Sequence, residues 1–231
     1  MPRHPERIAH RGANREAREN TLPAFLKALD RGADGIELDV HATADGVIVV
    51  HHDPALNADT VRPAMAGRAI ASLDAATLHR TLYKDGHDLP TLAEVLDAVG
   101  PRATVYVELK APGIERQVVD VILAAQTPCA VHSFDHRVSP NVHRLAPALP
   151  TGILTDSYLL DPGSTLRSAG ARDYWAHWQT IDAALVDAIH AAGGRVVAWT
   201  ANDPAAVRAL AALGVDAFCA DDVRVLDAAF G

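Results

Sequence analysis

Cysteine is nearly absent. The chain has two, Cys129 and Cys219, far apart and beside no other thiol. That excludes a disulfide framework and any cysteine-based zinc spacing, and their apolar surroundings predict buried free thiols. Basic runs are missing and the net charge is −8, which argues against a nucleic-acid partner. No apolar stretch is long enough to span a bilayer. The N-terminal Met1-Pro2-Arg3-His4-Pro5-Glu6-Arg7 lacks the apolar segment of a secretion signal, so a cytoplasmic protein with no membrane span is expected. Low-complexity tracts are also absent.

What remains is a globular composition. Apolar residues make up 49% of 231, enough for one large core of barrel or doubly wound type. The most informative stretch is Ile36-Glu37-Leu38-Asp39-Val40, followed by Gly46-Val-Ile-Val-Val-His51-His52-Asp53. Alternation along a strand puts Glu37 and Asp39 on one face and Ile36, Leu38 and Val40 on the other. Two adjacent carboxylates repel, and the repulsion must be offset by a shared proton, a basic side chain or a bound cation. After the Asp45-Gly46 turn, a second apolar run delivers His51, His52 and Asp53 at its end.

In chain order, Arg7 to Gly12 reads as a strand ending in His10 and Arg11. Asn20 or Thr21 is positioned to cap the helix that follows, whose buried stripe is Leu22, Phe25, Leu26 and Leu29. Between Pro54 and Pro90 the pattern weakens, with one short helix expected over Ser72 to Arg80. This long excursion reads as a lid beside the site, inside a single domain spanning 1–231. Thr91 caps the next helix. Ala103 to Lys110 is a strand with Tyr106, Glu108 and Lys110 on one face.

The strand–helix unit then repeats, with strands at 130–134, 152–155, 174–176, 195–200 and 217–220. Eight strands alternating with helices predict an α/β fold with a parallel sheet, and in this length a closed (β/α)₈ TIM barrel. Gly193-Gly194 precedes its strand, so it belongs to a helix stop on the opposite rim and is no phosphate loop.

Barrel active sites lie at strand C-terminal ends. His10, Arg11, Glu37, Asp39, His52, Glu108, Lys110, Ser133, Phe134 and Trp199 all fall there. Three carboxylates, Glu37, Asp39 and Glu108, make an oxygen-rich site suited to Mg²⁺ or Ca²⁺, with His10 keeping zinc open. Arg11 and Lys110 add positive charge fitted to a phosphate ester. His10 and His52 are an acid/base pair in reach of neutral pH. Together these groups suit cleavage of a P–O bond.

At these residues the sequence resembles the glycerophosphodiester phosphodiesterase family. The matching motifs are His10-Arg11-Gly12, Glu19-Asn20-Thr21, Gly32-Ala33-Asp34 leading to Glu37-x-Asp39-Val40, and Thr43-x-Asp45-Gly46 leading to His52-Asp53. Pro90-Thr91-Leu92-x-Glu94-Val95-Leu96, Glu108-x-Lys110, Ser133-Phe134 and Trp199-Thr200-x-Asn202 extend the match over nearly the whole chain. The resemblance implies a TIM-barrel enzyme that hydrolyses glycerophosphodiesters to sn-glycerol 3-phosphate and an alcohol. It implies a divalent cation, Mg²⁺ or Ca²⁺, held by Glu37, Asp39 and Glu108, with His10 and His52 as general acid and base. Arg11 and Lys110 would contact the phosphate, and Trp199 with Phe134 would wall the glycerol or alcohol. The expected partner is thus a small glycerophosphodiester, and a homodimer is compatible with it.

The chain departs from the family twice. Leu56 is followed by Asn57-Ala58-Asp59-Thr60 where the family carries an Arg-Thr-Thr segment, and Gly214-Val-Asp-Ala217 leads to Asp221-Asp222-Val223 where the family closes with Asp-x-Pro. His51, on the opposite strand face, and His132, His136 and His177 near the rim read as structural, with His177 a secondary candidate for lining the pocket. Two other functions compete: a related lysophospholipid or lipid phosphodiesterase, and a non-catalytic phosphate-ester-binding barrel. The mixed lid (Val61, Met65 and Ile70 against Asp59, Arg62 and Arg68) favours a water-soluble diester over the first. The intact set of carboxylates and histidines weighs against the second.

Overall fold

Apolar patterning becomes strand where β-branched residues cluster, and helices alternate with the strands except at one hairpin. The computed structural model describes residues 4–57, 61, 65–79, 83 and 85–230. The order is β1 (Glu6–His10), α1 (Leu22–Asp30), β2 (Gly35–Ala42), β3 (Ile48–Val50), α2 (Ala75–His79), α3 (Leu92–Val99), β4 (Thr104–Leu109) and α4 (Glu115–Ala124). It continues with β5 (Cys129–Ser133), α5 (Val138–Leu145), β6 (Thr151–Thr155), α6 (Pro162–Ala169), β7 (Asp173–His177), α7 (Ala183–Ala191), β8 (Arg195–Trp199), α8 (Pro204–Ala212), β9 (Ala217–Ala220) and α9 (Val223–Phe230).

The sheet runs β1-β9-β8-β7-β6-β5-β4-β2-β3, and β1 also pairs with β2. Eight parallel strands therefore close on themselves into a TIM barrel. The remaining strand, β3, lies outside the closure and runs antiparallel to β2, with Val40 opposite Val50 and Ala42 opposite Ile48. This is the hairpin expected from Asp45-Gly46, where Gly46 takes φ +82°. No helix among the described residues is long and apolar enough to cross a membrane.

Alternation sorts the side chains of each strand. Ile36, Leu38 and Val40 of β2 and Val105, Val107 and Leu109 of β4 pack outward beneath α1, α3 and α4. Ile153, Tyr174, Val196 and Phe218 do the same on the other half, beneath α6 to α9. The barrel interior is filled by Ile8, Tyr106, Ala130, Leu154, Trp175, Val197 and Cys219. Both cysteines are buried free thiols, and burial pushes the Cys129 thiol up to about 12.

Helix starts follow local chemistry. Thr91 Oγ1 accepts from Glu94 N while the Glu94 carboxylate accepts from Thr91 N, a reciprocal capping box. Asp161, Asp182 and Asp203 cap α6, α7 and α8. Before α1, neither residue expected as a cap uses its side chain that way. Thr21 Oγ1 donates to Arg18 O at 2.6 Å, and the Asn20 amide is committed to Asp39.

The excursion from 54 to 90 has its own apolar cluster. Val61, Ile70, Leu73, Leu78, Tyr83 and Leu89 pack with Val49 of β3 and Leu56. The single helix expected over Ser72 to Arg80 is a 3₁₀ turn at Ile70–Ser72 followed by α2, because Asp74 interrupts the run and caps α2 through Thr77 N. Arg80, Ala58, Asp59, Thr60, Arg62 and Pro63 lie outside the described residues.

Two substitutions test this framework. Gly12 sits at φ +82°, and an added Cβ would lie 2.7 Å from the Ala24 carbonyl carbon. Urea unfolding should show Gly12→Ala costing about 2–5 kcal/mol, from left-handed strain plus overpacking. Thr91→Ala should cost only about 1 kcal/mol, the worth of one cap. Equal losses for the two would contradict the close approach at Gly12.

Candidate active site

The two carboxylates of β2 are held in the barrel mouth by register. β2 pairs with β4 so that Asp39 lies beside Glu108, and with β1 so that Glu37 lies beside His10. All three acids are buried: Glu37 is 3% exposed, Asp39 1% and Glu108 7%. Burial, then the neighbouring charges of Asp39 and Glu108, push the Glu37 carboxyl well above its usual range. Glu108 is raised for the same reasons, with Lys110 opposing.

Asp39 goes the other way. Burial alone would raise it, but Arg11, Lys110 and Asn20 together hold it below the ordinary carboxylate value. Arg11 Nε lies 3.1 Å from Oδ2, Asn20 Nδ2 donates to Oδ2 at 2.9 Å, and Lys110 Nζ is 3.4 Å from Oδ1. Lys110 Nζ also donates to Glu108 Oε1 at 2.8 Å, and Arg11 N donates to Glu37 Oε2 at 3.1 Å. Of the three offsets the sequence allowed, basic side chains serve Asp39, and a retained proton suits Glu37.

Each histidine of the expected acid/base pair has a carboxylate behind it. His10 Nδ1 is 2.8 Å from Asp221 Oδ1, and His52 Nδ1 is 2.7 Å from Asp53 Oδ1. Asp221 is a hub. Asn14 Nδ2 and Asn202 Nδ2 donate to it, and Arg15 pairs with its second oxygen at 2.8 Å. Burial opposes its ionisation, but His10, Asn14 and Asn202 hold it far below the usual range. The sequence marked this segment only as a departure from the family's Asp-x-Pro.

A cavity of about 20 Å³ lies beneath the mouth, lined by His10, Glu37, Glu108, His132, Trp175 and Trp199. That is room for a single water or ion. His132 is 1% exposed, and burial lowers its pKa to about 3. Neither of its ring nitrogens has a hydrogen-bond partner, nor has Trp199 Nε1. One ligand atom each from Glu37, Glu108 and His132 lie within 4.8 Å of one another. An oxygen-rich pocket of one-ion size with an unpartnered nitrogen fits a divalent cation. His132, read from the sequence as structural, is the nitrogen donor of this group.

The other histidines are tied down. His51 Nδ1 lies 3.0 Å from Tyr83 Oη, and Arg18 covers the Tyr83 ring at 4.9 Å. His136 Nε2 donates to Leu154 O at 2.8 Å. His177 and Phe134 meet Trp199 edge-on, with ring centroids 5.4 and 5.5 Å away. A second cavity of about 360 Å³ opens beside Glu108, Lys110, Pro112, Ser133 and Phe134. A larger one, about 880 Å³, lies at the opposite barrel end near Glu6, Asp34, Arg195 and Asp216. Its acids are already paired, with Arg195, Arg7 and His190, so its size does not make it the reactive end.

Known proteins show the same arrangement of chain. The model of the glycerophosphoryl diester phosphodiesterase family matches residues 10–225. A glycerophosphodiester phosphodiesterase of Caldanaerobacter subterraneus subsp. tengcongensis is 31% identical over 231 aligned residues, covering 95% of each chain. One from Bacillus altitudinis is 31% identical over 228 residues, covering 93% of each. A phosphodiesterase from Oleispira antarctica, solved in complex with the product sn-glycerol-3-phosphate, superposes with a TM-score of 0.87 at 25% identity, covering 99% of this chain and 98% of that one. With a family match over nearly its whole length and a barrel mouth of the expected chemistry, the chain belongs to the glycerophosphoryl diester phosphodiesterase family of hydrolases.

Proposed function

We propose that the protein hydrolyses glycerophosphodiesters to sn-glycerol 3-phosphate and an alcohol, using a divalent cation held among Glu37, Asp39 and Glu108. The observation that carries this reading is the one-ion cavity shared by His10, Glu37 and Glu108, with Lys110 2.8 Å from Glu108. The sn-glycerol-3-phosphate bound in the Oleispira antarctica relative supports this substrate class. Oxygen donors alone would suit Mg²⁺ or Ca²⁺. A cation bound there would supply positive charge to offset the charge developing on the phosphoryl oxygens and would favour deprotonation of the attacking hydroxyl.

The chain's own groups do the rest. With Nδ1 of His10 facing Asp221 and Nδ1 of His52 facing Asp53, Nε2 of each ring is the atom left to move a proton. Between them the two rings take the proton of the attacking oxygen and return one to the leaving alcohol. Asp221 and Asp53 fix ring orientation and stabilise the imidazolium as it forms. Arg11 and Lys110 bind the phosphate oxygens from the side of β1 and β4. Trp199 and Phe134 form a wall for the glycerol or alcohol, and the 54–90 excursion is a lid within one domain of 231 residues.

A lipid substrate is the second reading. Its support is the segment after β6, where Tyr158 and the fully exposed Leu160 stand on the same rim as exposed Phe134. Among the described residues of the lid, Val61, Ile70, Leu73 and Leu78 are spent on its own cluster and lend no such support.

Four measurements test these assignments. Metal-stripped protein should release glycerol 3-phosphate from glycerophosphocholine only after a divalent cation is restored; faster release from lysophosphatidylcholine would move the assignment to lipid. Glu37→Gln should abolish the metal-dependent rate while circular dichroism shows a folded chain, and an unchanged rate would refute the metal role. His10→Ala and His52→Ala should each lower kcat by about 10²-fold or more. Asp221→Asn should lower kcat by about tenfold or more with little change in KM, since it acts through His10. Near wild-type rates in all three would remove the acid–base roles.

A further inference from the structure

His132 has no part in the mechanism above, yet it is placed at a cost. It lies on β5 beside Glu108 and is 1% exposed, with both ring nitrogens unpaired. An unpaired buried polar group carries an uncompensated desolvation cost, so a residue serving only as packing would be cheaper as phenylalanine or leucine. Trp175 stacks on the ring at 4.3 Å with an interplanar angle of 7°. That fixes the plane of the imidazole and the in-plane directions of its nitrogens. One of those nitrogens, Nε2, lies 3.9 Å from Glu37 Oε1.

The three donors are spaced for one ion. Ligand atoms of Glu37, Glu108 and His132 lie within 4.8 Å of one another. Two ligands each about 2.0–2.2 Å from an ion stand at most about 4.4 Å apart, and three average no more than about 3.8 Å, so the donors close on an ion by drawing together by up to about 1 Å. The cavity they line, about 20 Å³, holds a single ion or water. Asp39 is the most committed of the three carboxylates, engaged by Asn20, Arg11 and Lys110. Glu37 Oε1 faces His132, while its other oxygen accepts from Arg11 N.

We propose that His132 is a nitrogen ligand of the cation site, and that it makes this barrel select a first-row transition ion (Mn²⁺, Co²⁺ or Zn²⁺) over Mg²⁺ and Ca²⁺. The proposal rests on the metal-dependent reading above and replaces its oxygen-only expectation of the ion. Mg²⁺ and Ca²⁺ take oxygen donors, whereas imidazole suits the transition ions, so one nitrogen among carboxylates tips the choice.

The test uses metal-stripped full-length protein. Co²⁺ binding is followed by visible absorption in competition with Ca²⁺ or Mg²⁺, and the Mn²⁺ form is examined by pulsed EPR for coupling to ¹⁴N. Wild type should prefer Co²⁺ over Ca²⁺ by about 10²-fold and show nitrogen coupling. His132→Gln should lose about tenfold or more of the Co²⁺ affinity, keep its Ca²⁺ affinity within about threefold, and lose the coupling. If that variant does not fold, His132→Phe preserves the stack on Trp175 and serves instead. Absence of nitrogen coupling in wild type, or its survival in the variant, overturns the proposal; so does Ca²⁺ competing on equal terms. Binding of no divalent ion at all would also defeat the metal-dependent reading, whereas oxygen-only binding with turnover intact would defeat this proposal alone.

Discussion

Three carboxylates buried at one barrel mouth repel each other, and much of the surrounding geometry exists to offset that repulsion. Adjacent parallel strands stand about 4.8 Å apart, so the β2–β4 register forces Asp39 and Glu108 together. Desolvation then penalises every charged form. The offset comes from a loop with an unusual backbone. Arg11 at φ +57° and Asn20 at φ +56° are the non-glycine residues in the left-handed region among those described, with Gly12 at +82° between them in sequence. Left-handed backbone costs a non-glycine residue about 1–2 kcal/mol. In return the Arg11 amide reaches Glu37, its guanidinium reaches Asp39, and the Asn20 amide reaches the same Asp39 oxygen. Gly12 passes so close to Ala24 that no side chain fits there. The loop between β1 and α1 is thus shaped by the charges it serves.

The site also depends on closure. His10 and Asp221 are 211 residues apart in sequence, and they meet because β1 is flanked by both β2 and β9. An open sheet of the same strands would leave His10 without its carboxylate. The opposite end of the barrel is closed by a separate polar set, in which Tyr106 Oη donates to Glu6 at 2.8 Å and Arg195 pairs with Glu6 at 2.6 Å. Polar groups therefore occupy both ends of the interior, with Ile8, Leu154, Trp175 and Val197 between them.

How much of this was readable from the chain follows from the range of each interaction. Strand alternation is local, so the common face of Glu37 and Asp39 and the placing of Glu108 and Lys110 were legible. The Thr91–Glu94 capping box was legible for the same reason. Asn20 was misread as a possible cap because its partner, Asp39, is a strand away. His132 reads in the sequence as a structural histidine near the rim. Its meaning depends on two pairings the chain does not display, the β4–β5 register and the stack on Trp175 of β7. Asp221 was visible only as a departure from a motif, since its role requires β9 to return beside β1.

The rim is divided, and the division bears on substrate choice. Ionisable groups crowd the ends of β1, β2 and β4, with His52 beyond β3. The ends of β5, β7 and β8 carry Phe134, His177 and Trp199 in edge-on contact. Tyr158 and Leu160 stand between them after β6. On the proposed reading the phosphate must lie toward the first half, because only there can its charge be met by Arg11 and Lys110. The alcohol is then turned toward the second half. Among the described residues of the 54–90 excursion, Val61, Ile70, Leu73 and Leu78 are buried in a cluster of its own with Val49. On that reading, discrimination among alcohols falls to the ends of β5 to β8, where Phe134 meets Trp199 edge-on and an exposed tyrosine and leucine follow β6.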